Sequence, residues 1–427
     1  MGSKRRLWRV LAMFAAFGLV VAACGDDSDS DSGSSDTTEA DSGGGGGESD
    51  GVLTIGTLLP ETGDLAFLGP PEFAGAELAI QDINAAGGVL DADVTLINGD
   101  SGDTNTDIAN QTTDRLLNEG VDAIIGAASS GVSFTVIDKI TGANVIHFSP
   151  ANTSPDFTDY DDNGLYFRTA PSDVLQGQVL SDLILAEGAE SVGLLARQDP
   201  YGEGLLNFTV APLTESGAEV TNEVVYDPAA ENFDPEVGEI VDADPDAIVL
   251  IGFEESAQIL TAMFEQGLDE KAIYLVDGNI GNALGENFTG DVLEGIKGTL
   301  PSAELGDDFK DLLLEVDPDL EDFSYSAETY DAVVITALAA AVAGTDDPVA
   351  VAAEINGVTK EGTKCTSFEE CKELAEAGED IDYDGYGGPY EFGDAGEPNA
   401  ASFAILQYGP GNTIDDSLTA YRQAEIG

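Results

Sequence analysis

Residues 52–99 read VLTIGTLLPETGDLAFLGPPEFAGAELAIQDINAAGGVLDADVTLING. The stretch opens on a short apolar strand (52–60), passes into an amphipathic helix with a glycine stop (71–88), and returns as a second strand (93–99). The alternation continues outward with a helix over 106–120, a strand over 122–127, a helix over 132–142 and a strand over 144–150. A second series starts near residue 172, with a helix over 173–187, a strand over 191–196, a helix from Tyr201 and a strand near 219–226. It goes on through a helix near 234–243, the strand DAIVLIG (246–252), a helix over 254–267 and a strand over 272–278. Two consecutive β-α series with near-continuous Val/Ile/Leu strands predict an α/β fold of two lobes, each a doubly wound, mainly parallel sheet. Further on, YDAVVITALAAAVAG (330–344) is apolar on most faces and predicts a buried helix.

The N-terminus speaks to compartment. Lys4, Arg5, Arg6 and Arg9 precede an apolar run, Val10 to Ala23, that ends at Cys24. A basic segment, a short apolar run and small residues before a cut site make a secretory signal over 1–23. The run is short for a bilayer span, which needs roughly 20 apolar residues. Val21-Ala22-Ala23-Cys24 looks like a bacterial lipobox, in which Cys24 takes a lipid and becomes the new N-terminus. An uncleaved anchor helix is the alternative, and it also puts the bulk of the chain outside the cytoplasm. Residues 24–51 then form an acidic Gly/Ser linker with no large apolar side chain, which predicts disorder.

The chain carries 82 Asp+Glu against 15 Lys+Arg, a formal charge of −67. Nucleic acid is excluded as a partner, since binding it needs a basic patch, and the membrane is reached only through the lipid. After cleavage about 400 residues remain, enough for two lobes. Of the cysteines, Cys365 and Cys371 are close in sequence in an exported chain, so a local disulfide is expected. Asp380, Asp382, Asp384 and Glu391 fit the calcium-loop pattern D-x-D-x-D-G-x5-E, which predicts a structural Ca2+; a tight turn in an acid-rich chain is the other reading.

In open α/β sheets ligands bind beyond the carboxyl ends of the strands. Those ends carry Thr62-Gly63, IGAASSG (125–131), HFSPANTSPDFT (147–158), YFRTAPSD (166–173) and PYGEG (200–204), with GAELAIQDINAAGG (75–88) on the first helix. In this order and spacing the chain resembles the type I periplasmic solute-binding proteins related to the Leu/Ile/Val-binding protein, over essentially all of 52–427. The resemblance implies a clamp that closes on a small amphoteric solute, such as a branched-chain amino acid, and delivers it to the permease of an ABC transporter as a monomer. It implies a first lobe of 52–170 plus about 300–384 and a second of 171–299 plus about 385–427. It places the solute carboxylate at Ser130, Ala151 and Thr153. The ammonium falls to Asp277 (or Gly278, one residue on), with Phe253 as a cation–π partner and Tyr201 facing the solute. Leu68 stands where the Leu/Ile/Val binder has an aromatic, so it bears on side-chain specificity.

Each residue has a plainer reading. Ser130 belongs to a helix N-cap motif, Thr153 to a turn before Pro155, Tyr201 to a cap, Phe253 to the core and Asp277-Gly278 to a turn. An enzyme is disfavoured. His147 is the single histidine and sits inside an apolar strand, and no G-x-S-x-G, Walker loop, G-x-G-x-x-G after a strand or H-E-x-x-H occurs. Two other binders share the expectation: a ligand-sensing lipoprotein of the same fold, or a receptor for an amide, urea or a small carboxylate.

Overall fold

The computed structural model describes residues 49–269 and 271–426. The signal segment, Cys24 and nearly all of the linker lie outside the described residues.

The first lobe begins with β1 (Thr54–Leu58), α1 (Gly69–Ala85), β2 (Thr95–Ile97), α2 (Ile108–Asn118), β3 (Ala123–Gly126), α3 (Ser130–Gly142), β4 (Ile146–Ser149) and β5 (Tyr166–Arg168). Its strands lie in the order β2-β1-β3-β4-β5, all parallel. The chain then crosses into the second lobe through α4 (Asp173–Ala186), β6 (Ser191–Arg197), α5 (Pro200–Glu215), β7 (Glu219–Tyr226) and α6 (Asp234–Ala243). There follow β8 (Ala247–Ile251), α7 (Ser256–Glu265), β9 (Ala272–Leu275), the short α8 (Asn282–Gly285) and β10 (Lys297–Pro301). Every residue of β3 and β8 is buried, because helices cover both faces of a parallel sheet.

After β10 the chain returns to the first lobe as α9 (Asp307–Val316), α10 (Ser326–Ala343) and α11 (Pro348–Ile355). A small sheet of β11 (Thr363–Cys365), β12 (Ile381–Gly385) and β13 (Gly388–Pro389) follows, interrupted by α12 (Phe368–Glu376). The Cys365–Cys371 disulfide is formed and joins β11 to the first turn of α12. A last crossing leads to β14 (Ala400–Gln407) and β15 (Ala420–Glu425), which complete the second sheet in the order β15-β14-β10-β9-β8-β6-β7. The β14 pairings with β10 and β15 are antiparallel, whereas the rest of that sheet is parallel.

The third crossing falls later than the expected 384/385. Tyr383, Tyr390 and Phe392 still pack in the first lobe's core, and Ala400 is the first residue back in the second sheet. Asp331, fully buried on α10, holds this segment: it accepts from the hydroxyls of Tyr383 and Tyr390 and from Gly387 N–H, each at 2.6 Å. Burial raises its pKa to about 6, against the lowering effect of those donors. Helix α10 itself is buried without a break from Ser326 to Ala340.

The region read as a calcium loop runs as β12, a two-residue turn and β13. Lys364 Nζ lies among three of the carboxylates of that pattern, 2.8 Å from Asp382, 2.9 Å from Asp384 and 3.2 Å from Glu391; none of these contacts involves Asp380. Among the described residues no group of three or more His, Cys, Asp and Glu is arranged to hold a metal ion.

Candidate functional site

Three helix N-termini meet where the lobes face each other, and each is capped by a side chain of the residue before it. Ser129 caps α3 through Val132 N–H, Ser172 caps α4 through Val174 N–H, and Asp199 caps α5 through Gly202 N–H. The residues just inside these caps, Ser130, Asp173 and Tyr201, are thereby fixed on the cleft. From the second sheet Asp277 follows β9.

Asp277 is the best connected of them. Its Oδ1 accepts from Tyr201 Oη at 2.7 Å and Gln176 Nε2 at 2.8 Å, and its Oδ2 from Tyr325 Oη at 2.8 Å. Tyr325 precedes α10 in the first lobe, in the left-handed backbone region at φ 60°, so its bond to Asp277 spans the cleft. Two more contacts span it: Ser154 Oγ donates to Pro200 O at 3.0 Å, and Arg197 lies 3.6 Å from Asp64. One apolar cluster also runs across both lobes, with Leu65, Leu68, Ala128 and Ala151 joining Tyr201, Phe253 and Tyr325. The clamp is closed.

Within it, several buried polar atoms make no hydrogen bond of normal geometry: Thr153 Oγ1, both carboxylate oxygens of Asp173, and Gln176 Oε1, although the Thr153 hydroxyl lies close enough to Asp173 to lower its pKa. Buried polar groups are nearly always satisfied, so this set marks where a solute's own polar groups belong. Asp173 begins a helix, where an anion is favoured. Burial outweighs this, and together with the neighbouring Asp277 it pushes the Asp173 pKa well above its ordinary value. Asp277 is also raised by burial, against the lowering effect of its three donors. Ser130 Oγ accepts from Ser154 N–H at 3.3 Å, which leaves its hydroxyl proton free to donate. As first residue of α3, Ser130 also has an N–H with no intrahelical partner. Ala151 is buried beside them. A cavity of about 170 Å³ opens at the edge of this group, lined in part by Asp64, Phe67, Phe253, Gly278 and Leu284. Its lining is largely apolar and excludes the unpartnered atoms, so the polar contacts belong deeper in the cleft.

Phe253 has a different partner from the expected one. The Arg197 guanidinium carbon lies 3.5 Å from its ring centre, so the cation against this ring is the protein's own; Phe253 also stacks on Tyr201 at 5.2 Å. Arg197 in turn bonds Asp199 at 2.6 Å and Glu255 at 3.0 Å. The structure brings Ser130, Ala151, Thr153, Tyr201 and Asp277 together with Leu68 in the wall, and adds Asp173, Gln176 and Tyr325. Of these additions only Asp173 lies in a motif that stood out, YFRTAPSD. His147, fully buried in β4, has its pKa drawn down to about 3 by burial, so it stays neutral and in the core.

A two-sheet clamp with three crossings and an inward-facing polar centre is a solute-binding receptor. The chain belongs to the periplasmic binding protein family: the family profile, described as Periplasmic binding protein, matches residues 52–411. It is similar to Leu/Ile/Val-binding protein homolog 1 of Brucella abortus (strain 2308), 28% identical over 306 residues that make up 70% of this chain and 80% of that protein. The leucine-, isoleucine-, valine-, threonine-, and alanine-binding protein of Pseudomonas aeruginosa is 27% identical over 311 residues, 71% of this chain and 81% of its own length. Among solved structures, a branched-chain amino acid transporter substrate-binding protein of Streptococcus pneumoniae, in complex with isoleucine, has the same fold. Its TM-score is 0.72 at 21% identity, covering 88% of this chain and all of that one. The chain is thus an extracytoplasmic solute-binding protein and not an enzyme.

Proposed function

We propose that this protein captures an aliphatic α-amino acid outside the cytoplasm and delivers it, as a monomer, to the permease of an ABC transporter. The observation that carries the reading is the polarity of the unpartnered atoms. The Ser130 hydroxyl and the N-terminus of α3, with the Thr153 hydroxyl nearby, form a set that suits a carboxylate. Asp173, whose carboxyl neighbours Thr153, stands beside Asp277, a set that suits an ammonium. The apolar wall of Leu65, Leu68 and Tyr325 suits an aliphatic side chain. Contacts from both lobes favour the closed state, and a permease would read that state. A thermal-shift screen of residues 51–427 tests this. L-Leucine, isoleucine or valine at ~100 times the dissociation constant should add about 2.7 kcal/mol of stability. Stabilisation by benzoate or urea and not by any amino acid would sink the amino-acid reading and keep the clamp.

The mature chain is proposed to be held at the membrane by a lipid on Cys24. Cells fed labelled palmitate should label the wild-type protein and not Cys24→Ser; equal labelling would dispose of the anchor.

A further inference from the structure

Arg168, the last residue of β5, has no solvent exposure and is among the largest fully buried side chains of the protein. A buried guanidinium is tolerable only when its donors are paired, and here all of them are. Nε donates to Glu397 Oε2 at 2.8 Å, and Nη2 also contacts that carboxylate. Nη2 further donates to Thr158 Oγ1 at 3.3 Å, and the Thr158 hydroxyl donates to Glu397 Oε1 at 3.0 Å. The two donors of Nη1 go to backbone carbonyls, Asn152 O at 3.1 Å and Ser154 O at 2.7 Å. Those carbonyls flank Thr153, whose hydroxyl is one of the unpartnered atoms facing the solute.

Glu397 comes from the opposite end of the chain, on the third crossing between the lobes. That crossing is docked tightly onto β5. Gly396 O accepts from Arg168 N–H at 3.0 Å. Gly396 has φ +71° and stands so close that a Cβ there would lie 2.7 Å from the Phe167 ring. Arg168 itself lies immediately before the first crossing. One ion pair therefore ties two of the three crossings to the loop that presents Thr153.

We infer that Arg168 and Glu397 are positioning residues that couple lobe rotation to the geometry of the solute-carboxylate loop. Neither touches the solute. Rotation about the crossings turns the backbone around Glu397; the carboxylate carries the guanidinium with it, and the guanidinium carries the carbonyls of Asn152 and Ser154. In the other direction, a solute gripping Thr153 braces the crossings in their closed arrangement. Lysine cannot replace Arg168 in this role, since it lacks the planar fork that reaches a carboxylate and two carbonyls at once.

Glu397→Gln and the milder Thr158→Val are compared with the full-length mature protein by leucine titration calorimetry and by amide hydrogen exchange without solute. The leucine probe rests on the function proposed above; the exchange measurement does not. Glu397→Gln should raise the leucine Kd at least ~10-fold, as expected for loss of a buried charged partner, with Thr158→Val intermediate. Amides of 150–158 should exchange faster in both variants, while those of β3 and β8 keep wild-type protection. Wild-type Kd and wild-type exchange in both variants would overturn the inference. So would a weakened Kd with exchange at 150–158 unchanged, because the effect would then not pass through the loop. If Glu397→Gln does not fold, Thr158→Val decides by the same criteria. If the wild-type protein does not bind leucine, the amino-acid reading fails and the exchange measurement alone decides the coupling.

Discussion

Asp173→Asn is expected to weaken leucine binding by about 30-fold or more, the equivalent of about 2 kcal/mol, and yet to raise the melting temperature of the empty protein at neutral pH. The two effects have one cause. Asp173 is buried with neither carboxylate oxygen in a hydrogen bond of normal geometry, and the lowering influence of Thr153 and Arg168 does not offset burial, so ionising it costs free energy until an ammonium arrives. Its folded pKa is raised above the ordinary aspartate value of 3.8, so between that value and the raised one the folded protein holds a proton that the unfolded chain has lost. Stability of the empty wild type should therefore fall as pH rises through that window, and the asparagine variant should lose much of this slope. Solute binding ionises the carboxyl pair, so affinity should drop on acidification, and binding should release protons. Calorimetry in two buffers of different ionisation enthalpy, with melting curves from pH 4 to 8, reads all of these. An unchanged affinity in the variant would remove Asp173 from the site.

Arg197→Met should destabilise the folded protein by about 3–5 kcal/mol at pH 8, the usual cost of stranding a buried charge. The arginine side chain is 4% exposed, and its partners Glu255 and Asp199 are 8% and 11% exposed. Glu255 also accepts from Tyr226 Oη at 2.9 Å. Burial already raises the Glu255 pKa against the lowering effect of Arg197. Without the guanidinium it takes up a proton more readily, so the loss should shrink at pH 5, and Arg197→Met/Glu255→Gln should recover part of it. Urea unfolding at the two pH values checks this; equal losses at both would mean that Arg197 acts through packing on Phe253 rather than through charge.

Much of the fold was legible because burial on both faces of a parallel sheet writes itself as runs such as AIVLI (247–251). The cap at the start of α3 was also legible, in the serines around Ser130. What stayed hidden has physical causes. Ser172-Asp173 looks like any capped helix with an acid in its first turn; only burial and the lack of partners single out Asp173, and neither is local. Tyr325 and Gln176 meet Asp277 from segments far apart in sequence, and Arg168 finds Glu397 across 229 positions. The alternating spacing of the calcium pattern is also that of a strand. In IDYDG (381–385) Ile381 and Tyr383 enter the core, while Asp382 and Asp384 turn to Lys364. Phe253 was legible as an aromatic at the cleft, but the choice of its cation depends on Arg197, at the end of a different strand.

Helix α10 has a second life before the protein folds. Its 18 residues have a mean hydropathy of 1.3, apolar enough in composition to cross a bilayer, and 83% of them are buried in the folded lobe. A chain that crossed a membrane unfolded would carry this segment through the translocation channel, where it could slip sideways into lipid. Glu328 and Asp331 lie in its first third, where an acid opposes insertion by less than the about 2.5–3.5 kcal/mol of an aspartate at the centre. In the folded core both carboxyls are costly to ionise, with burial raising Glu328 to about 8 and Asp331 to about 6. The acids that are costly to ionise in the finished helix would therefore also oppose insertion of the unfolded segment into a bilayer.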